Sequence, residues 1–219
     1  MSMKLHADYS LAVVVDSAAR PWLASPMAGV ERRMLERDGD EVARATSLVR
    51  YAPGSAFSPH THGAGEEFLV LEGVFSDETG DFPAGYYVRN APGSRHTPSS
   101  APGAAIFVKL RQMPAEETRL VRVDTRDPAI WHAGGDHYQE AVLFDAPWER
   151  VVMRRLQPGC DSQHESLPRG AEYYVVQGTL VVNGQARTEG TWLRFPAGTD
   201  LTWGTTAGAL VYCKSGHLG

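Results

Sequence analysis

The residues best placed to do chemistry lie between Gly54 and Gly73, where GSAFSPHTHGAGEEFLVLEG reads as G-x5-H-x-H-x3-E-x6-G. His60 and His62 are two apart, so on an extended segment both side chains leave the same face. A turn through Gly63 and Gly65 brings Glu66 back toward them, and three ligands then converge on one ion. A fourth follows in GYYVRNAPGSRH, where a strand-like run from Gly85 ends in the Pro92–Gly93 turn and presents His96. Imidazole nitrogens with one carboxylate oxygen form a set that divalent first-row metals accept, zinc, iron, manganese, nickel or copper among them. The bland alternative is a pair of strand histidines beside a surface turn. Four ligands in order, with turn glycines between them, favour the metal.

Short strands must hold these residues. Glu41 to Tyr51 alternates apolar and polar residues into Pro53–Gly54, and Glu66 to Gly73, Gly85 to Asn90 and Ala104 to Arg111 continue as β runs bounded by Gly and Pro. Ser10 to Val15 reads as a strand and Pro21 to Val30 as an irregular cover anchored by Trp22. The best helix candidate is the short, charge-rich Val30 to Arg37. The rhythm is that of a jelly roll, and 22 glycines with 14 prolines suit its many tight turns.

A net charge of -5 offers no basic field for nucleic acid, so direct binding to it is not expected. The longest apolar run near the amino end, Leu11 to Val15, is too short for a signal-peptide core, and no stretch approaches membrane-spanning length. The expectation is a cytoplasmic protein without a membrane partner. Cys160 and Cys213 are too few for a disulfide framework.

Shifting the chain by 105 residues superposes 50–109 on 155–214 without a gap. Identical pairs include Pro53/Pro158, Gly54/Gly159, Gly73/Gly178, Gly85/Gly190 and Gly103/Gly208, residues that fix turns. The backbone plan is therefore repeated, but the ligands are not: His60 faces Glu165, His62 faces Leu167, Glu66 faces Ala171 and His96 faces Leu201. The expected domains are 1–114, with the metal, and 115–219, a degenerate copy packed with apolar side chains. The boundary falls near 113–117.

These two stretches resemble the paired motifs of the cupin family. The first fits without a gap; the second, G-x6-P-G-x2-H, is one residue longer before the proline than the usual G-x5-P-x-G-x2-H. The resemblance implies an all-β tandem cupin, or bicupin: two jelly-roll barrels with few short helices, and a metal on His60, His62, Glu66 and His96. Beyond the ligands, RYAPG at 50–54 and HTHGAGEEFLVLEGVFSDETGDFPAGYYVRNAPGSRHTP at 60–98 are most similar to the ChrR-type branch. In that branch some members are the sensor half of anti-sigma factors and hold zinc in this barrel, while a helical zinc module with H-x3-C-x2-C grips the sigma factor. No such motif occurs in this sequence, so the implied function is a sensor or small-molecule binding module for a ligand or oxidant. Its partner in trans would be a sigma factor or other regulatory protein, with a homodimer as a further expectation. The alternative is a non-haem dioxygenase cleaving β-diketones, flavonols or aromatic ketones, since four ligands leave two positions on an octahedral ion. Whether the chain is an enzyme stays open at this point.

Among the remaining residues, Tyr51, Phe57, Phe68 and Val70 are candidates for the pocket wall, with plain core packing as the alternative. Glu67 points away from Glu66 on a strand, and its copy Glu172 survives where the ligands are lost. It is therefore read as structural, pairing with Arg50, Arg89 or Lys109, all of which recur. Cys160 and His164, taken to lie in a loop, lack a third orienting group for catalysis. His6, His132, His137 and His217 have no companion spacing.

Overall fold

The computed structural model describes residues 2–218, and its regular structure is almost wholly β. The helical elements among the described residues are two three-residue 3-10 turns, Ser17–Ala19 and Pro128–Ile130. The chain forms two compact units, one of residues 1–7 and 20–126, the other of residues 8–19 and 127–219. Compared with the expected division at 113–117, residues 8–19 and 115–126 stand on opposite sides. The reason is an exchange of first strands. Val13–Asp16 pairs antiparallel with Thr191–Phe195 of the second repeat, and Val121–Asp124 pairs with Tyr86–Asn90 of the first.

The large sheet of the first unit runs in the order 4–5, 30–38, 44–51, 104–110, 66–77, 86–90, 121–124. Its longest strand, Glu66–Asp77, serves two sheets: Glu66 to Gly73 pairs with Ala104–Leu110, and Val74 to Asp77 pairs with Gly80–Pro83. Gly73 is the pivot. Its φ is +68°, and a Cβ there would collide with the Gly103 carbonyl, so only glycine allows this approach. Alternation sends Glu66, Phe68 and Val70 to one face and Glu67 and Leu69 to the other. The inward face packs Phe68, Val70, Phe75, Val88, Ile106 and Val108 into a common cluster.

Residues 30–37, expected as a helix, are instead the strand Val30–Asp38. A register shift between Met34 and Glu36 against the next strand leaves Leu35, Glu36 and Arg37 all buried in succession. That bulge hides the period of two from the sequence. The segment before it, expected as irregular, includes the short edge strand Leu23–Ala24. The guanidinium groups of Arg33 and Arg50 lie 4.5 and 4.4 Å from the ring centre of Trp22.

The second unit repeats the plan at the 105-residue shift. Strands 44–51, 66–77, 80–83, 86–90 and 104–110 recur as 149–156, 171–182, 185–188, 191–195 and 209–215. Upstream the shift is 108, because the connection 39–43 shrinks to 147–148. Leu167, Ala171 and Leu201 are 2%, 1% and 2% exposed, as the apolar replacements require. The interior is not apolar throughout, however. Arg154 enters it and bonds Glu140 at 2.8 Å and Glu165 at 2.7 Å, while the Tyr173 hydroxyl donates to Glu165 at 3.0 Å. Cys160 and His164, expected in a loop, lie on the strand Cys160–Leu167, Cys160 buried and His164 exposed. Burial raises the Cys160 thiol, the opposite of what a nucleophile needs.

Candidate metal centre

Three local structures bring the donors together. His60–Thr61 pairs with Arg95–His96 so that His60 lies opposite His96. One residue on, the His62 backbone N–H donates to the Ser94 carbonyl at 2.9 Å, and its carbonyl accepts from Gly93 at 2.7 Å. Gly65, at φ +77°, then turns the chain into the long strand and delivers Glu66. One donor atom from each of His60, His62, Glu66 and His96 lies within 4.8 Å of all the others. The ring centres of the three histidines are 4.6 to 5.0 Å apart.

The orientation of each ring favours ligation through Nε2. His60 Nδ1 is 3.1 Å from the Ser58 carbonyl, and His96 Nδ1 is 3.1 Å from Asp77 Oδ2, contacts that assign the ring proton to Nδ1. The Nε2 atoms of His62 and His96 are buried and have no hydrogen-bond partner. They face the Glu66 carboxylate at 3.6 and 3.4 Å. Buried polar atoms without partners are costly, and a cation shared by all four residues resolves that cost. The set therefore fits a divalent metal.

The protonation states suit the same role. Burial lowers the His62 pKa, against the pull of Glu66, which keeps the imidazole neutral. Burial alone would raise the Asp77 carboxyl, but hydrogen bonds to His96 and Thr79 outweigh it and hold it at about 2. Asp77 is thus an ionised acceptor behind His96. Behind Glu66 stands Asn90, whose Nδ2 donates to Oε2 at 3.1 Å. Arg122 Nη2 donates to Asn90 Oδ1 at 2.8 Å, and Nη1 to the Arg89 carbonyl at 3.0 Å. Arg122 comes from the exchanged strand Val121–Asp124.

A cavity of 410 Å³ adjoins the donors, walled by Val49, Tyr51, Phe57, Ile106, Val108 and Leu110. Tyr51 and Phe57 therefore line it. Phe68 and Val70, the other two expected wall residues, are 1% exposed and belong to the packed cluster. Burial, and then Glu66, push the Tyr51 pKa well up, so it stays a hydroxyl.

Glu67 lies on the opposite face. It bonds Arg89 at 2.8 Å and the Tyr87 hydroxyl at 2.6 Å, all buried. Arg50 pairs with Glu31, and Lys109, opposite Glu67 in the ladder, donates to Thr46. Asp77, Asn90 and Arg122 escaped the sequence reading, although a signal existed. At the 105-residue shift Asp77 and Asn90 face Val182 and Phe195, so they turn apolar where the ligands do.

Comparison with known proteins gives the family context. The sequence pattern of the family described as ChrR Cupin-like domain matches residues 10–114. Among solved structures, a candidate dioxygenase from Nostoc punctiforme is 15% identical with a TM-score of 0.77, covering 95% of this chain and 84% of that one. The pirin YhhW from Escherichia coli, in complex with nickel(II), is 14% identical with a TM-score of 0.68, covering 94% and 98%. An oxalate decarboxylase variant from Bacillus subtilis is 11% identical with a TM-score of 0.62, covering 94% and 77%. At these identities the likeness is one of fold. No curated protein matches the chain significantly. No helix among the described residues is long and apolar enough to cross a membrane.

Proposed function

We propose, on the premise that residues 10–114 carry a cupin-family domain, that this unit holds one divalent transition metal on His60, His62, Glu66 and His96. The protein then acts as a metal-dependent binding or sensing module for a small molecule or oxidant entering the adjoining cavity. The observation that carries the reading is the pair of buried, partnerless Nε2 atoms of His62 and His96 facing Glu66 beside that cavity. Zinc is the expected ion, with iron, manganese and nickel as the other metals these donors accept. A bound divalent ion supplies Lewis acidity toward the ligand's donor atom.

The chain's own residues do the rest. Asp77 fixes the ring of His96, and Asn90, itself fixed by Arg122, orients the Glu66 carboxylate. The apolar wall favours hydrocarbon over water, and the protonated Tyr51 adds a hydroxyl to it. A sensor of this kind passes its state to another chain, for which a sigma factor or other regulatory protein, or a second copy, is the expected partner.

Elemental analysis of the purified protein tests the reading. About one equivalent of zinc is expected for four convergent donors, with no oxygen uptake when β-diketones or flavonols are added. Protein that neither contains nor takes up a divalent metal refutes it. The second reading, a dioxygenase, is favoured by the cavity's direct contact with the donors and by the fold shared with the Nostoc protein. Rapid oxygen consumption, abolished in His62→Ala, would put it in place of the sensor.

A further inference from the structure

A second chamber, of 220 Å³, opens beside the metal cavity and shares Glu41, Val49, Phe57, Val108 and Leu110 with it. Two guanidinium groups, Arg32 and Arg37, lie in its wall. Arg37 is engaged by the turn that follows it, donating to the Gly39 and Asp40 carbonyls. Arg32 is held more loosely. It lies opposite Val49, on the same strand face as the buried Val30. Its Nη2 and Nη1 meet Glu41 at 3.1 and 3.5 Å, while its Nε is buried with no partner. The Glu41 side chain is 65% exposed and that of Arg32 only 22%. The cation thus sits inside and its counter-ion outside, where water competes for the carboxylate.

The second unit shows how such a charge is otherwise answered. At the upstream shift of 108 residues Arg32 becomes Glu140, and at the downstream shift of 105 Val49 becomes Arg154. Glu140 and Arg154 lie opposite each other and are bonded within the barrel. In the first unit the inward position is a cation, and the residue across from it is apolar. In the barrel with the cavity the inward Arg32 is therefore answered only by a carboxylate at the exposed rim, Glu41.

We propose that the chamber receives the anionic end of the cavity's ligand: an organic acid with an apolar body, whose carboxylate pairs with Arg32 and displaces Glu41. The aliphatic and aromatic residues shared by the two spaces suit hydrocarbon between the polar ends. The inference deepens the binding reading above and rests on it for the cavity's role, but Arg32 is not a metal ligand, so the two fail separately.

The test is calorimetric titration of the full chain, zinc-loaded, with octanoate and with 1-octanol. Octanoate is expected to bind about tenfold or more tightly than the alcohol, the scale of a charge-assisted hydrogen bond. Arg32→Gln should bring octanoate down to the alcohol's affinity while the metal content stays unchanged. Glu41→Gln, which removes the competing carboxylate, should tighten octanoate, an effect of opposite sign that a merely structural role for Arg32 would not produce. Equal binding of acid and alcohol, binding of neither, or indifference to both substitutions overturns the proposal. So does octanoate binding that disappears with the metal but ignores Arg32→Gln, because the carboxylate then sits on the ion. Protein that takes up no divalent metal yet binds octanoate through Arg32 would keep this proposal and refute the metal reading.

Discussion

The wall that carries the ligands in the first unit has a counterpart in the second, and the two differ in how they are zipped. In the second unit, Cys160–Leu167 pairs with Thr199–Thr205 along most of its length. In the first, the same wall is reduced to two short ladders, Ser55–Ala56 with Ser99–Ser100 and His60–Thr61 with Arg95–His96. Between them lie Pro59 and Pro98, which have no N–H to donate, where the second unit has His164 and Trp203. Trp203 is 4% exposed and, with Leu167, Leu201 and Tyr173, belongs to the packed core. Pro98 and Val49, at the positions of Trp203 and Arg154, line the cavity. One backbone plan thus yields an open barrel and a filled one. The difference lies in two prolines, four ligand positions and a handful of interior side chains.

The division is broken most directly at its ligands. A His60→Ala, His62→Ala double variant should lose nearly all bound metal, from about one equivalent to none, because the second unit offers only Glu165 at the four equivalent positions. Metal surviving that change, measured by elemental analysis, would place a site in the filled barrel.

On the other side, Arg154→Leu should destabilise the protein by about 3–5 kcal/mol in denaturant unfolding, since it strands Glu140 and Glu165 in the interior. Adding Glu165→Leu should restore part of the loss. The pH dependence has a definite sign. Burial would raise the Glu165 carboxyl, but the Arg154 hydrogen bonds outweigh it and hold it below its ordinary 4.5. Its contribution is therefore complete above that value and is lost as pH falls through the lower folded value. The double variant should show a shallower acid limb; an unchanged limb would mean that the pair contributes nothing there.

A smaller effect sharpens the comparison. Arg122→Ala, which releases Asn90 from behind Glu66, should weaken zinc about 10–100-fold without changing the stoichiometry at saturation. Arg122→Lys should recover only part, because a single ammonium cannot reproduce the three bonds of the guanidinium fork. Zinc affinity equal to wild type in both variants would show that the support is idle.

The smallest change is expected at a feature the units share. Glu67→Gln should lower stability by about 1–2 kcal/mol, the scale of a charge-assisted bond weakened but not deleted, and leave metal content intact. Loss of metal would mean that this carboxylate, on the outward face, reaches the donors after all.

The donor cluster was legible in the sequence because its geometry is local: two histidines on one strand face, a glycine turn and a carboxylate. The repeat was legible because glycines such as Gly73 and Gly178 are fixed by backbone approach, not by packing. Val30–Asp38 was not, since a bulge at Leu35 erases its alternation and leaves a charged run that looks helical. Asp77, Asn90 and Arg122 were overlooked for a different reason. They serve the donors through hydrogen bonds set by strand register, which spacing in a single sequence does not encode. Nor did apolar replacement at three ligand positions reveal that Arg154 would enter the second barrel from a strand away.

The exchanged first strands also bear on how the chain is made. The first unit has all its strands once residue 126 has left the ribosome, but Val13–Asp16 must wait for Thr191–Phe195, about 70 residues and several seconds later at ordinary synthesis rates. Until then a short apolar segment made before the first unit remains without its sheet. Nascent chains stalled near residue 150 should accordingly be cut by protease around Val13 while the first unit resists. Equal protection of both would mean that the early strand finds a provisional partner before its own is made.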